Sequence, residues 1–386
     1  RVQPRPVTRY TGYRAVIYKL LLNPDTCRGR KAVRRKMAVP ESQPYNPVTR
    51  RFPFGAYVDV VRWLPSPSPF CKAFVVASYD TLGYSSSVTT YTIANDLEAA
   101  VPEIGVSWSP QSRVCSLVST PSIFAASTMS GSVCFFSAHP AAELTPMATV
   151  ESEDKKFHVG KIRGVGLRDG GEDCCVTVGE DGRINLVVVN AGKDGVHYRR
   201  VFDGNGLVSY TSVKWASGSE FVTGGVGVGI QWWDLRRPDS SVAQLKNIWD
   251  DGKRSGIVHS VDIHPSRKHT CLAGGTCGMV LAWDLRWPKQ PVIMSEGEEH
   301  NSLSHSDVWE VQFTKSSNSN VSSSQILPAM ICSEDGILAV LEQGKDSVDL
   351  LTEPCAINNF DILWNNPSEV ICNFEWESIA ILSRPC

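Results

Sequence analysis

The sequence contains no uninterrupted apolar run approaching the roughly 18 residues that a membrane-spanning helix needs. It also carries almost no net charge, since 38 Lys and Arg face 40 Asp and Glu. Broad binding to nucleic acids or membrane surfaces requires a strong cationic field, so we expect neither as a direct partner. None of the 12 cysteines forms a C-x-x-C pair, which favours reduced thiols over a disulfide framework. Five cysteines lie inside apolar runs and are expected to be buried: Cys115, Cys134, Cys271, Cys332 and Cys372.

Motifs of the common catalytic and nucleotide-binding sites are also missing. The chain has no P-loop, no G-x-S-x-G nucleophile elbow and no H-E-x-x-H zinc motif. The glycine-rich run 225–229 leads into a tryptophan-rich strand pattern, so no helix N-terminus is available for a phosphate. Glu298, Glu299 and His300 lie in a loop without the fixed spacing of a metal site. We therefore predict a protein that is not an enzyme and uses no cofactor, metal or small-molecule substrate.

The chain does contain a repeated segment. A glycine turn and a short apolar strand end in Trp-Asp-Leu-Arg at residues 233–236, and the same arrangement ends at residues 283–286. A Trp-Asp strand end that recurs after about 50 residues is typical of WD-type β-propellers. The structural residues of the two motifs are Trp233, Asp234, Trp283 and Asp284.

Seven segments can be superimposed by a tight turn and the strand that follows it, at spacings of roughly 40 to 60 residues. Two of the turns contain Asp-Gly, at Asp181-Gly182 and Asp335-Gly336. Asp-Gly between apolar runs is a strong hairpin signal, because such turns need positive φ. No convincing helical stripe follows Tyr57. We therefore predict an all-β fold, a seven-bladed WD40-type β-propeller over residues 45–386.

Each predicted blade has a candidate inner strand, and several of these strands follow a histidine-containing loop. Such a histidine is expected to hydrogen-bond to the Asp of the tight turn and to a strand hydroxyl. His305, Ser333 and Asp335 fit this arrangement, which we interpret as structural rather than as a catalytic triad. The candidate inner strands are Tyr57–Leu64, Gly105–Trp108, Ile162–Leu167, Ser212–Trp215, Val258–Ile263, Val308–Phe313 and Ile357–Trp364.

The last repeat supplies only three strands, so the ring needs a fourth strand from elsewhere. Residues 44–54 are available for this role. Pro44, Pro47 and Pro53 would be wrong in a central strand but are acceptable on an edge. We predict that this N-terminal strand closes the last blade.

Residues 1–44 differ in composition from the rest. The first 36 residues contain eleven Arg or Lys and one acid, Asp25, and the first methionine is Met37. A basic leader of this kind is typical of a transit peptide or a nuclear-import patch. Upstream sequence ahead of a start at Met37 is the alternative that we favour. In either case we expect residues 1–44 to lack fixed structure.

Several segments resemble one family, the WD-repeat nucleoporin forty-three family of the Y-shaped outer-ring complex, in a plant-like form. The resemblance spans about residues 45–386 and is most specific after residue 170, whereas the second blade and the Ser-rich insertion 315–324 match poorly. Residues 1–36 have no recognisable counterpart. The segments that carry the resemblance are Val176–Leu186, His305–Phe313, Ile331–Gly336 and Ile357–Arg384.

This resemblance implies a non-catalytic scaffold subunit of the nuclear pore, located in the nucleus at the nuclear envelope. It implies that the propeller binds a helical-solenoid nucleoporin among the other outer-ring nucleoporins, and that it serves pore assembly, mRNA export and nucleocytoplasmic transport. Interface anchors are usually aromatic or Arg. Trp249, Trp287 and Trp376 are candidates for such anchors, although packing roles are the simpler interpretation.

A second hypothesis comes from the two Trp-Asp-Leu-Arg motifs. They resemble those of substrate receptors for cullin-4 ubiquitin ligases, in which the Arg after the Trp-Asp strand contacts the adaptor propeller. Arg236 and Arg286 would have that role here. The structural alternative is that each Arg caps its own blade in a surface salt bridge.

Overall fold

A computed structural model of the chain describes residues 47–95, 100–139, 143–151, 157–168, 174–189, 195–237, 243–245, 256–284, 291–294, 306–314, 326–375 and 377–384. All of them belong to the second of the two units into which the chain divides, Tyr45–Cys386. Within these ranges, the strands form seven antiparallel sheets of four strands each. The sheets follow one another along the chain as blades 1 to 7.

The first three blades each use four consecutive strands, which run from the inner to the outer position, while β1 (Val48–Pro53) belongs to blade 7. Blade 1 contains β2 (Tyr57–Ser68), β3 (Cys71–Asp80), β4 (Ser85–Ala94) and β5 (Glu103–Trp108). Blade 2 contains β6 (Val114–Ser119), β7 (Ile123–Thr128), β8 (Val133–Ser137) and β9 (Ala148–Val150). Blade 3 contains β10 (Ile162–Leu167), β11 (Cys174–Gly179), β12 (Arg183–Val189) and β13 (Val196–Asp203).

The remaining blades repeat this order. Blade 4 contains β14 (Ser209–Trp215), β15 (Glu220–Val226), β16 (Gly229–Asp234) and β17 (Ala243–Leu245). Blade 5 contains β18 (Val258–Ile263), β19 (Thr270–Gly275), β20 (Val280–Asp284) and β21 (Val292–Ile293). Blade 6 contains β22 (Val308–Phe313), β23 (Ala329–Ser333), β24 (Ile337–Leu341) and β25 (Val348–Thr352). Blade 7 contains β26 (Ile357–Ile362), β27 (Glu369–Phe374), β28 (Ser378–Ser383) and the N-terminal β1.

The ring is closed. Each inner strand contacts the inner strand of the next blade, and β26 contacts β2. β1 pairs antiparallel with β28 from Val48 opposite Ser383 to Pro53 opposite Ser378. The predicted seven-bladed fold, closed by the N-terminal strand, is therefore confirmed. The first and the last of the described strands therefore pair in blade 7, so closure depends on both of them.

The hydrophobic core is divided among the blade junctions. Seven clusters of buried apolar residues each combine side chains from two neighbouring blades, and one of them joins blade 7 to blade 1. The two faces of each blade pack against different neighbours, so the central strands read as nearly continuous apolar runs. In β7, β23 and β27 every residue is buried.

One predicted strand is misassigned. Gly105–Trp108 was expected to be the inner strand of blade 2, but it forms the end of β5, the outer strand of blade 1. The inner strand of blade 2 is β6, whose two serines, Ser116 and Ser119, weaken its apolar pattern. Trp108 is apolar like an inner-strand residue because it packs into the core between blades 1 and 2. Its ring lies edge-on to Phe136 of blade 2, with the ring centroids 5.0 Å apart. The other predicted inner strands fall on the inner strands of their blades.

Four of the cysteines predicted to be buried are buried, at Cys134, Cys271, Cys332 and Cys372. Cys115 is only half-buried. Burial raises the pKa of the Cys271 and Cys372 thiols to about 12, so both are protonated at neutral pH.

Candidate interaction site and blade junctions

The Trp-Asp motif of blade 4 lies at the end of β16. Trp233 is buried between blades 3 and 4, where its ring stacks on Phe221 and its indole N–H donates to Thr223 Oγ1 at 2.9 Å. Asp234 accepts two hydrogen bonds from the Arg236 guanidinium, Nε to Oδ1 at 2.8 Å and Nη2 to Oδ2 at 2.7 Å. The side-chain and backbone hydrogen bonds from Arg236 lower the pKa of Asp234 to about 2. Arg236 therefore caps its own blade, although 67% of its side chain is exposed.

The second motif occupies the equivalent place in blade 5. Trp283 is fully buried in the core between blades 4 and 5, and Asp284 ends β20 opposite Thr270. Arg286 lies outside the described residues, as do Trp249, Trp287 and Trp376. In both blades the Trp packs toward the preceding blade, so the motif residues mainly stabilise the junctions.

A buried histidine connects the entry loop of blade 3 to its tight turn. His158 Nδ1 lies 3.0 Å from Asp181 Oδ1, and His158 Nε2 lies 3.0 Å from Thr177 Oγ1. Asp181 also accepts the backbone N–H groups of Val159, at 2.8 Å, and Arg183, at 3.1 Å. This bonding assigns the proton of a neutral imidazole to Nδ1, with the Thr177 hydroxyl donating to Nε2. The cluster holds the loop and the turn together and has no open position for a substrate.

The pKa values of His158 and Asp181 are both lowered, which makes this contact between the loop and the turn of blade 3 sensitive to acid. Burial lowers the pKa of His158 in spite of the neighbouring carboxylate. Burial alone would raise the pKa of Asp181, but the hydrogen bonds from His158, Val159 and Arg183 lower it. His158 is therefore neutral and Asp181 ionised in the folded protein at neutral pH.

We expect the melting temperature to fall by roughly 2–5 °C between pH 7 and pH 5 because of His158. The folded pKa lies below the unfolded value of about 6.5, so this contribution is complete above that value and is lost as the pH falls. Asp181 adds a further loss only below about pH 4. In His158→Gln the decrease in melting temperature between pH 7 and pH 5 should be smaller. The exposed His197 provides the control, because His197→Gln should retain the wild-type slope. An unchanged slope in His158→Gln would contradict the assignment.

The equivalent turn in blade 6 contains a hydroxyl–carboxylate pair. Ser333 Oγ donates to Asp335 Oδ1 at 2.6 Å and also accepts the backbone N–H of Ile337. His305, the third member of the predicted arrangement, lies outside the described residues. Gly336 follows with φ +83°, and a Cβ there would lie 2.1 Å from the carbonyl oxygen of Glu353. Only glycine fits this turn.

The Asp-Gly turn of blade 3 has a similar requirement. Gly182 has φ +75°, and a Cβ on it would lie 2.7 Å from the carbonyl oxygen of Val208. The two Asp-Gly pairs thus place an Asp that accepts hydrogen bonds beside a glycine that lets the next entry loop approach closely.

A series of side-chain hydrogen bonds joins the inner strands from blade 4 round to blade 1, and sequence reasoning missed it. In all seven inner strands the register shifts at the same place, for example between Val258 and Ser260. The residue after this bulge accepts a backbone N–H of the next blade in four junctions. The four acceptors are Ser212, Ser260, Glu310 and Asn359.

Two further carboxylates, each two residues after one of these acceptors in the same strand, also accept backbone N–H groups of the next blade. Asp262 Oδ2 accepts Phe313 N, and Asp361 Oδ2 accepts Trp63 N, both at 2.8 Å. Burial raises the pKa of Asp361 to about 6. The signal in the sequence was the alternation of a polar residue with an apolar one inside the inner strands of blades 4 to 7, as in Ser260-Val-Asp262. Such polar residues near the axis have a structural role in place of a catalytic one.

Arg62 adds to these hydrogen bonds near the closing junction. Its guanidinium pairs with Glu310 of blade 6 at 2.7 Å and donates to the carbonyl oxygens of Leu117 in blade 2, at 3.1 Å, and Phe360 in blade 7, at 3.0 Å. One side chain of blade 1 therefore contacts three other blades. Between blades 3 and 4 the same positions are glycines, and a Cβ on Gly164 would lie 3.2 Å from the backbone of the next blade.

The described residues offer no constellation for catalysis or metal binding. No three His, Cys, Asp or Glu side chains in the described ranges are grouped closely enough to hold a metal ion. The described part of the chain also has no helix with the length and apolar content needed to cross a bilayer.

The closed ring, the Trp-Asp strand ends and the hydrogen-bonded turns define a WD-repeat β-propeller, a class that provides rigid surfaces for binding other proteins. The nuclear pore complex protein NUP43 of Arabidopsis thaliana is 50% identical over 357 residues, covering 87% of this chain and 97% of that protein. The nucleoporin Nup43 of Mus musculus is 32% identical over 42% of this chain and 37% of its own length. The Dictyostelium discoideum protein nup43 is 31% identical over 48% of this chain and 40% of its own length. No family model matches the chain.

The chain belongs to the Nup43 family of nucleoporins. The family predicted from the sequence is therefore confirmed, and the Arabidopsis relative supports a plant-like member. Membership of this family of structural proteins also confirms the prediction that the chain is not an enzyme.

Proposed function

We propose that this protein is a scaffold subunit of the outer ring of the nuclear pore complex. In this role the propeller binds a helical-solenoid nucleoporin and so supports pore assembly, mRNA export and nucleocytoplasmic transport. The observation that carries the proposal is the 50% identity that extends over 97% of the Arabidopsis nuclear pore protein. The similarity also extends over 87% of this chain.

The geometry of the ring agrees with a holding role. Each junction has its own apolar core, and side-chain hydrogen bonds reinforce the junctions around the axis. Arg62 in addition ties blade 1 to blades 2, 6 and 7. A body tied together in this way keeps its outer surface fixed, which lowers the entropic cost of holding a partner in one orientation.

The cullin-4 hypothesis gains no support from Arg236. Both of its bonded nitrogens are engaged by Asp234 of the same motif. Capping of its own blade accounts for the sequence motif without a partner.

We expect affinity purification of the tagged full chain from plant cells to recover outer-ring nucleoporins, and a fluorescent fusion to mark the nuclear rim. The physical reason is that a scaffold subunit remains bound through purification when its interface is large. Mass spectrometry of the recovered proteins provides the measurement. Arg236→Ala plus Arg286→Ala is the matched control and should recover the same nucleoporins. Recovery of a cullin-4 adaptor that this double variant abolishes, in the absence of nucleoporins, would refute the proposal.

A further inference from the structure

Blade 1 is larger than the other blades. Its strands β2, β3 and β4 contain 12, 10 and 10 residues, whereas the other inner strands contain six or seven. The hairpin between β2 and β3 therefore extends beyond the ring. Its tip, Pro69-Phe70, is fixed by Asn95, whose side chain donates to the Pro69 carbonyl and whose backbone N–H donates to that of Phe70. The Phe70 side chain is nevertheless 72% exposed.

Exposed apolar side chains are concentrated on this blade. Thirteen large hydrophobic residues are exposed among the described residues, and six of them belong to blade 1. An even distribution over seven blades would give about two, so the concentration points to an interaction surface. Three of the six lie on or beside the outer strand β5, and we name them the blade 1 edge: Val101, Ile104 and Val106. Phe70 lies at the β2–β3 hairpin, and Leu82 and Tyr84 lie in the β3–β4 turn at the opposite end of the blade.

The charge around the blade 1 edge has one sign. The exposed charged residues of the described part of blade 1 are Asp80 and Glu103. The two cations of the same described part are turned away from the edge. Arg62 lies among the inner strands, and the Lys72 ammonium pairs with Glu369 of blade 7 at 3.0 Å. A partner that covers this edge would bring Lys or Arg beside its apolar residues.

The outer strand itself is a ridge that disfavours the addition of another strand. Residues Glu103 to Ser107 of β5 are all exposed, so nothing in the described chain covers either face. The ladder between β4 and β5 shifts register beside Thr90, whose hydroxyl accepts Val106 N at 3.1 Å. A bulge and an acidic residue on an edge are devices that block strand pairing. Side chains, rather than backbone groups, therefore offer the contact.

We propose that the blade 1 edge is the docking surface for an α-helical segment of another outer-ring nucleoporin, one whose aliphatic face is flanked by Lys or Arg. This inference rests on the proposed function. The six residues of β5 span about 20 Å, which matches a helix of about 13 residues. The aliphatic face of the helix covers Ile104 and Val101, and a basic flank meets Glu103.

Single substitutions on the ridge test this surface in the tagged full chain. Ile104→Lys places a cation in the apolar contact, and Glu103→Lys reverses the charge that attracts the basic flank. Each should reduce the recovery of outer-ring nucleoporins at least about tenfold, as expected for an anchor residue. Leu207→Lys is the matched control, because Leu207 is 89% exposed in the loop between blades 3 and 4. The Leu207→Lys variant should recover the same amount of outer-ring nucleoporins as the wild type.

A photo-crosslinking residue at position 104 identifies the occupant. We expect adducts on a helical, Lys- or Arg-flanked segment of an outer-ring nucleoporin, and none from the same probe at position 207. If the wild type recovers outer-ring nucleoporins and both Lys variants recover them equally well, the docking surface is refuted while the proposed function stands. If the wild type recovers none, the proposed function fails and this inference fails with it. Crosslinks to a second copy of this chain would also overturn it.

Discussion

A chain that begins at Gly55 is expected to melt on the order of 10 °C below the full chain, because blade 7 loses its outer strand. β1 forms a six-residue ladder with β28. Phe52 and Phe54 pack into the core between blades 7 and 1, and the Phe54 ring meets Tyr91 edge-on at 5.1 Å. Burial of two phenylalanine side chains contributes about 4 kcal/mol, to which the ladder adds. The edge of β28 is also left open to aggregation.

Thermal unfolding followed by circular dichroism measures this effect. The matched control is a chain that begins at Tyr45, which keeps all of β1 and should melt within about 2 °C of the full chain. If both truncated chains melt together with the full chain, the N-terminal strand does not close the ring. If both melt early, the stabilising residues lie before Tyr45.

Much of the architecture could be predicted because the fold repeats. Each blade repeats the pattern of a tight turn between two apolar strands, so a weak sequence pattern in one blade is supported by the same pattern in the other six. Closure followed from a count of strands, since the last repeat was one short and Pro44, Pro47 and Pro53 restricted residues 44–54 to an edge. The error at Gly105–Trp108 arose where this redundancy failed, because Ser116 and Ser119 interrupt the apolar pattern of β6.

The interaction surface was not predictable in the same way. A sequence pattern reports which residues are apolar, and Ile104 and Val101 look like core residues in that pattern. Both are exposed because Ile104 lies in β5, the outer strand, and Val101 lies just before it, where no further strand of the described chain pairs with the blade. The buried network around His158 has the type of contact that was anticipated from the sequence. The trio named for it includes His305, which lies outside the described residues. Which loop brings its histidine onto a turn depends on the path of the chain in space.

The junction hydrogen bonds show why polar residues persist near the axis of an otherwise apolar ring. Seven separate cores would tolerate small shifts between blades, since apolar packing is not directional. Hydrogen bonds from the backbone of blade 6 to Ser260 and Asp262 define one register between the inner strands. The closing junction has the most elaborate set of these bonds among the described residues, and its disruption should have the next largest effect on stability.

Replacement of Asn359 or Asn373 by Ala is expected to destabilise the protein by about 2–4 kcal/mol each. Both side chains are buried between blades 7 and 1. Asn359 accepts Val61 N at 3.0 Å and donates to the Asp59 carbonyl at 3.0 Å. Asn373 donates to the Val58 carbonyl at 2.7 Å and accepts Asn359 N at 3.0 Å. Each truncation therefore leaves buried backbone groups of the first or last blade without a hydrogen-bonding partner.

Equilibrium unfolding in urea gives the free energies for a double-mutant cycle. Because Asn359 N donates to Asn373 Oδ1, the double variant should lose less than the sum of the two single losses. Asn358→Ala is the control from the same strand, since the half-buried Asn358 makes a long contact of 3.5 Å to the Tyr57 hydroxyl. It should cost about 0.5 kcal/mol or less. Losses that are small and equal for all three single variants would show that apolar packing alone holds the closing junction.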